Sequence, residues 1–139
     1  MRAFVLDASA LLRFTDKEAG FDRVRVLLEK AARAEIQLLM SAVNWGEVVH
    51  AVTRRAGDQA GMILDGLAAL PMTIVPVDAA AAAEAGRFKA RYHVPYADAF
   101  AGALAARRQT SDAATLVTAD NDFRGIPSGT IRIEFLPGK

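Results

Sequence analysis

Five short apolar runs separated by helical stretches do more than any other feature to limit what this sequence can fold into. Residues 2–6 (RAFVL), 36–40 (IQLLM), 72–77 (MTIVPV), 115–119 (TLVTA) and 130–135 (TIRIEF) have the length and composition of strands. Between them apolar residues recur at helical spacing. Phe21, Val24, Leu27, Leu28 and Ala31 do so from about Glu18 to Ala34, Val43, Val48 and Val52 after the second run, and Met62, Ile63, Leu67 and Leu70 before the third. Strands alternating with helices assemble as βαβ units, with helices covering both faces of a parallel sheet. The expected fold is therefore α/β, a three-layer α/β/α sandwich with a mostly parallel sheet of about five strands. TIRIEF alternates apolar with polar residues and belongs at a sheet edge.

The punctuation supports the same division. Ser41 is an N-cap for the helix carrying Glu47, and Gly57 with Asp58 breaks and recaps the chain. Pro71 ends the next helix, Asp78 caps an alanine-rich one that runs to about Tyr92, and Pro95 opens another with Asp98 in its first turn. With 139 residues and no linker or repeat, residues 1–139 are expected to form one domain. A chain of that length buries roughly 70% of the surface that its unfolded form exposes.

Composition removes several function classes. An apolar fraction of 53% with 24% charged residues excludes a disordered chain. Cysteine is absent, so disulfides and thiolate metal sites are excluded, and any metal must be held by oxygen or by one of two histidines. Asp7 interrupts the apolar run at the N-terminus, and no run of eighteen uncharged apolar residues follows, so a soluble, cytoplasmic protein without a membrane partner is expected. A net charge of +1 argues against a protein that coats nucleic acid through a broad basic surface. Local groups such as Arg54 with Arg55, or Arg107 with Arg108, lie near helix ends, where they complement the helix dipole.

Acidic residues stand where strands end and helices begin. Asp7 follows AFVL, Glu47 lies in SAVNWGEVV, Asp98 in PYADAFAGALA, and Asp120 with Asp122 in TLVTADNDF. In an open parallel sheet, ligands bind at the carboxyl ends of the strands, near the point where strand order reverses. That rule brings Asp7 and Asp120 together. Several carboxylates within a few ångströms cannot all stay ionised unless a positive charge sits among them. A hard divalent cation is the simplest source of that charge, and Mg²⁺ held by carboxylates acts on phosphates, which makes phosphodiester hydrolysis the leading chemistry.

Each acid also has an ordinary structural role open to it. Asp7 can cap the following helix, Asp98 can answer a helix dipole, and Asp120 and Asp122 can simply make a turn. Glu47 is harder to explain in that way, because Val43, Gly46, Val48 and Val49 surround it and burial there would be costly without a partner. Asn44, one turn earlier, is placed to orient Glu47, while Ser9 and Thr118 add hydroxyls near Asp7 and Asp120. The small residues Ala97, Ala99, Ala101, Gly102 and Ala103 offer either a low surface for a ligand or tight helix packing. His50 is expected on a helix surface and His93 nearer the cleft, with an ordinary structural role favoured for both. Arg13, Arg87, Arg91 and Arg124 are candidates for RNA contacts, and Phe123, Tyr92 and Tyr96 for base stacking, although aromatics at such positions more often belong to core or rim.

In order and spacing, LDASALL, NWGEV, YADAFAGALA and LVTADNDF resemble the PIN-domain ribonucleases, specifically the VapC-type toxins of type II toxin–antitoxin modules. The resemblance covers essentially the whole chain. It implies a PIN-like fold and an endoribonuclease dependent on Mg²⁺ or Mn²⁺, with Asp7, Glu47, Asp98 and Asp120 as the catalytic, metal-holding quartet. Asp122 would be an auxiliary acid, and Ser9, Asn44 and Thr118 polar supports. It further implies a homodimer, an RNA substrate and a cognate VapB-type antitoxin.

Three other readings stay open at this level. A noncatalytic interaction module would use the acids only as caps and turns. A phosphotransfer receiver shares the architecture but needs a lysine near the end of the last strand, where only Lys139 is on offer. A haloacid-dehalogenase-type phosphatase needs a second aspartate two residues after the first, where Ser9 stands.

Overall fold

A computed structural model describes residues 1–108 and 114–138. Lys139 and the side chain of Arg108 lie outside that description. Five strands, β1 (Ala3–Leu6), β2 (Gln37–Ser41), β3 (Thr73–Val75), β4 (Ala114–Thr118) and β5 (Arg132–Phe135), form one sheet. Every pairing is parallel, and the order is β3-β2-β1-β4-β5. Strand order therefore reverses at β1, whose neighbours are β2 on one side and β4 on the other.

Alternation along the strands builds two cores. Ala3 and Val5 of β1, Leu39 of β2 and Leu116 of β4 face one way and pack under α5 (Ala79–Tyr92) and α6 (Tyr96–Arg108). Phe4 and Leu6 of β1, Leu38 and Met40 of β2 and Val117 of β4 face the other way. There they meet α1 (Ala8–Thr15), α2 (Phe21–Ala32), α3 (Ala42–Ala56) and α4 (Ala60–Ala68). The result is the expected three-layer sandwich. Central strands buried on both faces explain why the sequence shows continuous apolar runs rather than alternation. Among the described residues no helix is long and apolar enough to cross a membrane.

The boundaries differ from expectation where local chemistry intervenes. Strand β3 covers only Thr73–Val75 of the run 72–77, because Pro76 has no N–H for the ladder. Helix α2 begins at Phe21 rather than near Glu18, since Gly20 precedes it at φ 94°. A side chain at Gly20 would also press on Leu136, whose Cβ lies 3.0 Å from the position of an added Cβ. Asp58 does not recap the chain: it lies in a short 3-10 turn, Gly57–Gln59, and no side chain caps α4. Ser41 and Asp78 do cap as expected, accepting from the backbone N–H groups of Val43 and Ala81.

Candidate active site

Because β1 and β4 are adjacent and parallel, the residues that follow them emerge side by side. Asp7 is 2% exposed and is held on both carboxylate oxygens. Its Oδ1 accepts from the Ala10 amide at 2.9 Å, which makes it the cap of α1, and from Ser9 Oγ at 2.7 Å. Its Oδ2 accepts from Thr118 Oγ1, across the strand pair. Capping and site-building are thus one role here. Burial raises the Asp7 pKa to about 6, and the donors from Thr118, Ser9 and Ala10 keep it from rising further. Ser9 Oγ in turn accepts from the Ala119 amide at 2.9 Å, and Thr118 Oγ1 from the Asp120 amide at 2.9 Å. The expected polar supports, Ser9 and Thr118, therefore tie the start of α1 to the end of β4.

Asp98 reaches the same place from α6, whose first turn starts after Pro95 and packs against β1 and β4. It is 8% exposed, and its Oδ2 is buried with no hydrogen-bond partner. Burial first, then the charge of Asp120 and a hydrogen bond with it, push the Asp98 pKa up to about 8, with smaller contributions from the charges of Asp7 and Asp122. Carboxylate oxygens of Asp98, Asp120 and Asp122 lie within 4.8 Å of one another. The turn after β4 sets the last two: Asp120 Oδ1 accepts from the Asp122 amide at 2.8 Å. Asp122, read from the sequence as auxiliary, thus stands within this tightest group.

Glu47 joins from α3, and here the sequence reading needs correction. It is exposed rather than buried, so the cost of burying it says nothing about function. The apolar neighbours misled because Val48 points into the core while Val43, Gly46 and Glu47 share the face turned to the cleft. Asn44 does orient it: the buried Asn44 Nδ2 donates to Glu47 Oε1 at 3.0 Å and to the Ala97 carbonyl at 3.1 Å. Through Asn44, Glu47 is coupled to the first turn of α6, one residue from Asp98. Asn44 Oδ1 is itself buried without a partner.

Asp7, Glu47, Asp98 and Asp120 all line one cleft of about 560 Å³. So does His50, which is exposed on the surface of α3 as expected, whereas His93, expected nearer the cleft, does not: it is exposed at the left-handed C-terminal turn of α5 (φ 58°). The overlooked signal was spacing, since position 50 follows 43, 46 and 47 on one helical face.

Most of the proposed RNA contacts have other partners. Phe123 is buried in the core, and Arg13 Nη1 donates to the carbonyls of Ala19 and Pro137. Arg124 lies 4.0 Å from the Phe135 ring centroid. Arg87, Arg91 and Tyr92 line a separate groove between α5 and α6. The small residues of α6 serve packing, for Ala99, Ala101 and Ala103 are buried and Gly102 faces the Phe88 ring.

The donor set fits a hard divalent cation. Its ligand atoms are all carboxylate oxygens, the choice of Mg²⁺ and Mn²⁺, and they are crowded enough to repel one another. The unpartnered Asp98 Oδ2 is the observation that tests the fit: a buried acceptor on a carboxyl grouped with other acids is satisfied by a cation or a proton and by little else.

The model of the PIN domain matches residues 4–128. Among solved structures, the chain resembles VapBC from Salmonella typhimurium bound to DNA (TM-score 0.73, 19% identity, covering 97% of this chain and 98% of that one). It also resembles VapBC2 from Rickettsia felis bound to a promoter fragment (0.72, 16%, 97% and 99%). A third is Mycobacterium tuberculosis VapC20, described as a sarcin-ricin loop cleaving toxin (0.65, 18%, 96% and 99%). At these identities the likeness is one of fold. Among curated proteins no match was found.

Proposed function

The chain belongs to the PIN domain family, and from that premise we propose that it is a divalent-metal-dependent endoribonuclease, the toxin of a toxin–antitoxin pair. The observation that carries this reading is the buried Asp98 carboxyl, lodged against Asp120 and Asp122 with Oδ2 unpartnered. A carboxylate kept only to cap a helix has no reason to be buried among other acids.

Asp98, Asp120 and Asp122 would hold the ion, with Asp7 and Glu47 completing the acidic wall of the cleft. A bound Mg²⁺ or Mn²⁺ supplies Lewis acidity towards a phosphate and towards water. The residues themselves do the positioning. Ser9 and Thr118 fix the Asp7 carboxylate, Asn44 fixes that of Glu47, and the turn after β4 fixes Asp120. Burial and the neighbouring acids raise the Asp98 pKa to about 8, so a cation held here would have to displace a proton from it.

RNA as substrate is supported by the description of VapC20 as a loop-cleaving toxin. A VapB-type antitoxin is supported by the VapBC structures and by a toxin–antitoxin complex from Klebsiella pneumoniae with TM-score 0.58. A homodimer in the cytoplasm remains part of the proposal. The test is incubation of the purified protein, freed of any partner, with total cellular RNA and Mg²⁺ or Mn²⁺. Discrete products that disappear with EDTA and with Asp98→Asn support the reading. Identical products from wild type and Asp98→Asn, or none from either, count against it and favour a noncatalytic module.

A further inference from the structure

Val43, Gly46, Glu47 and His50 fall on one face of α3, and all four line the acid cleft. The buried positions Asn44, Val48 and Val52 turn inwards instead. His50 therefore stands in the cleft wall one turn beyond Glu47, displaced about 4.5 Å along the helix axis. It has no task in the fold. It is exposed, and among the described residues no hydrogen bond or ion pair holds it.

The rest of the wall makes that ring conspicuous. Among the described residues no lysine or arginine lines the cleft, and its four acids, once ionised around a cation, would present acceptors only. A polyanionic chain entering it would meet attraction at a cation and repulsion along the flanks. Among the described residues, His50 is the one nitrogen-bearing side chain on the wall. Its imidazole offers an N–H donor whether neutral or protonated, so the role needs no particular charge state. It also stands apart from the group suited to an ion, which comprises Asp98, Asp120 and Asp122 and contains no histidine. Gly46 lines the same cleft, and an added Cβ there would meet nothing within 4 Å, so this part of the α3 wall leaves room for a backbone to pass.

We propose that His50 is a substrate-binding residue whose ring N–H donates to an RNA phosphate adjacent to the one that is cut. The inference rests on the ribonuclease reading above and adds the residue that holds the strand beside the acidic cluster.

The experiment uses the full chain and a labelled oligoribonucleotide spanning the cut site that wild type makes in total RNA. For His50→Ala the KM rises roughly tenfold, the worth of one hydrogen bond to a charged group, with kcat unchanged. His50→Gln, which keeps an N–H donor, recovers most of the loss. In an Asp98→Asn background, where the probe stays intact, the Kd shows the same ratio. Melting is unchanged, because His50 is exposed and alanine favours a helix. A neutral methylphosphonate at one position flanking the cut abolishes the difference between wild type and His50→Ala. Equal KM and Kd for His50→Ala, a fall in kcat alone, or losses additive with the methylphosphonate at every position overturn the proposal. Absence of any metal-dependent cut by wild type instead overturns the ribonuclease reading, and this one with it.

Discussion

Thr118, the last residue of β4, donates its hydroxyl to Asp7 Oδ2 at the end of β1, joining the two central strands by a side-chain bond at the mouth of the cleft. The two residues are 111 positions apart in sequence. The same Thr118 oxygen accepts from the Asp120 amide, so one hydroxyl sets the orientation of two acids.

Replacing Thr118 with valine keeps the shape and removes both bonds. Asp7 remains buried with one oxygen unanswered, and its pKa moves further above 6, since the Thr118 bond lowers it. Stability is expected to fall by about 1–3 kcal/mol, read from urea unfolding at neutral pH. An unchanged midpoint would show that the bond does not hold the strand ends together.

The metal-free protein should lose stability as pH rises. Asp7 and Asp98 both have folded pKa values raised above the ordinary 3.8, to about 6 and about 8. Between the ordinary and the raised values the folded state binds more protons than the unfolded one. The contribution is therefore complete in acid and disappears as pH passes through 6 and then 8, with a slope of up to about 1.4 kcal/mol per pH unit for each proton. Thermal melts in EDTA across this range check the sign. At pH 8, Mg²⁺ at roughly a hundred times its Kd should restore about 2.7 kcal/mol to wild type and nothing to Asp98→Asn.

Glu47→Gln separates folding from activity. Glu47 is exposed, so its stability effect should stay within about 0.5 kcal/mol. Cleavage of the mapped RNA should fall by at least roughly tenfold, as for a group that holds or orients a metal. A variant that cuts as wild type does would remove Glu47 from the site.

Gly102→Ala probes the support behind Asp98. An added Cβ would stand 2.5 Å from Phe88 Cζ and 2.6 Å from Cε1, so the α5 and α6 helices would have to part or the ring would have to turn. A loss of about 1–3 kcal/mol is expected in chemical denaturation. No loss would mean that Phe88 can turn out of the way at little cost.

Much of the site could be read from the chain because its parts are locally encoded. Asp7 and Asp120 follow apolar runs, Ser41 and Asp78 cap helices, and Asn44 stands one turn before the glutamate that it orients. What misled was the direction in which side chains point. The sequence neighbours of Glu47 are apolar and suggest burial, yet on a helix those neighbours face other ways and Glu47 is exposed. His93, expected nearer the cleft, lies instead at the left-handed end of α5, while His50 on the surface of α3 lines it.

By itself the sequence determined the elements, since period and capping are properties of adjacent residues. It also determined that acids follow two of the strands. Only the tertiary structure decided how closely the acids meet and that Asp122 joins Asp98 and Asp120. The order β3-β2-β1-β4-β5 puts β4 beside β1, and the packing of α6 across that pair lowers Asp98 onto Asp120 and Asp122. That burial, with Oδ2 left unpartnered, arises from contacts between segments far apart in the chain, whose energies no local window of sequence contains.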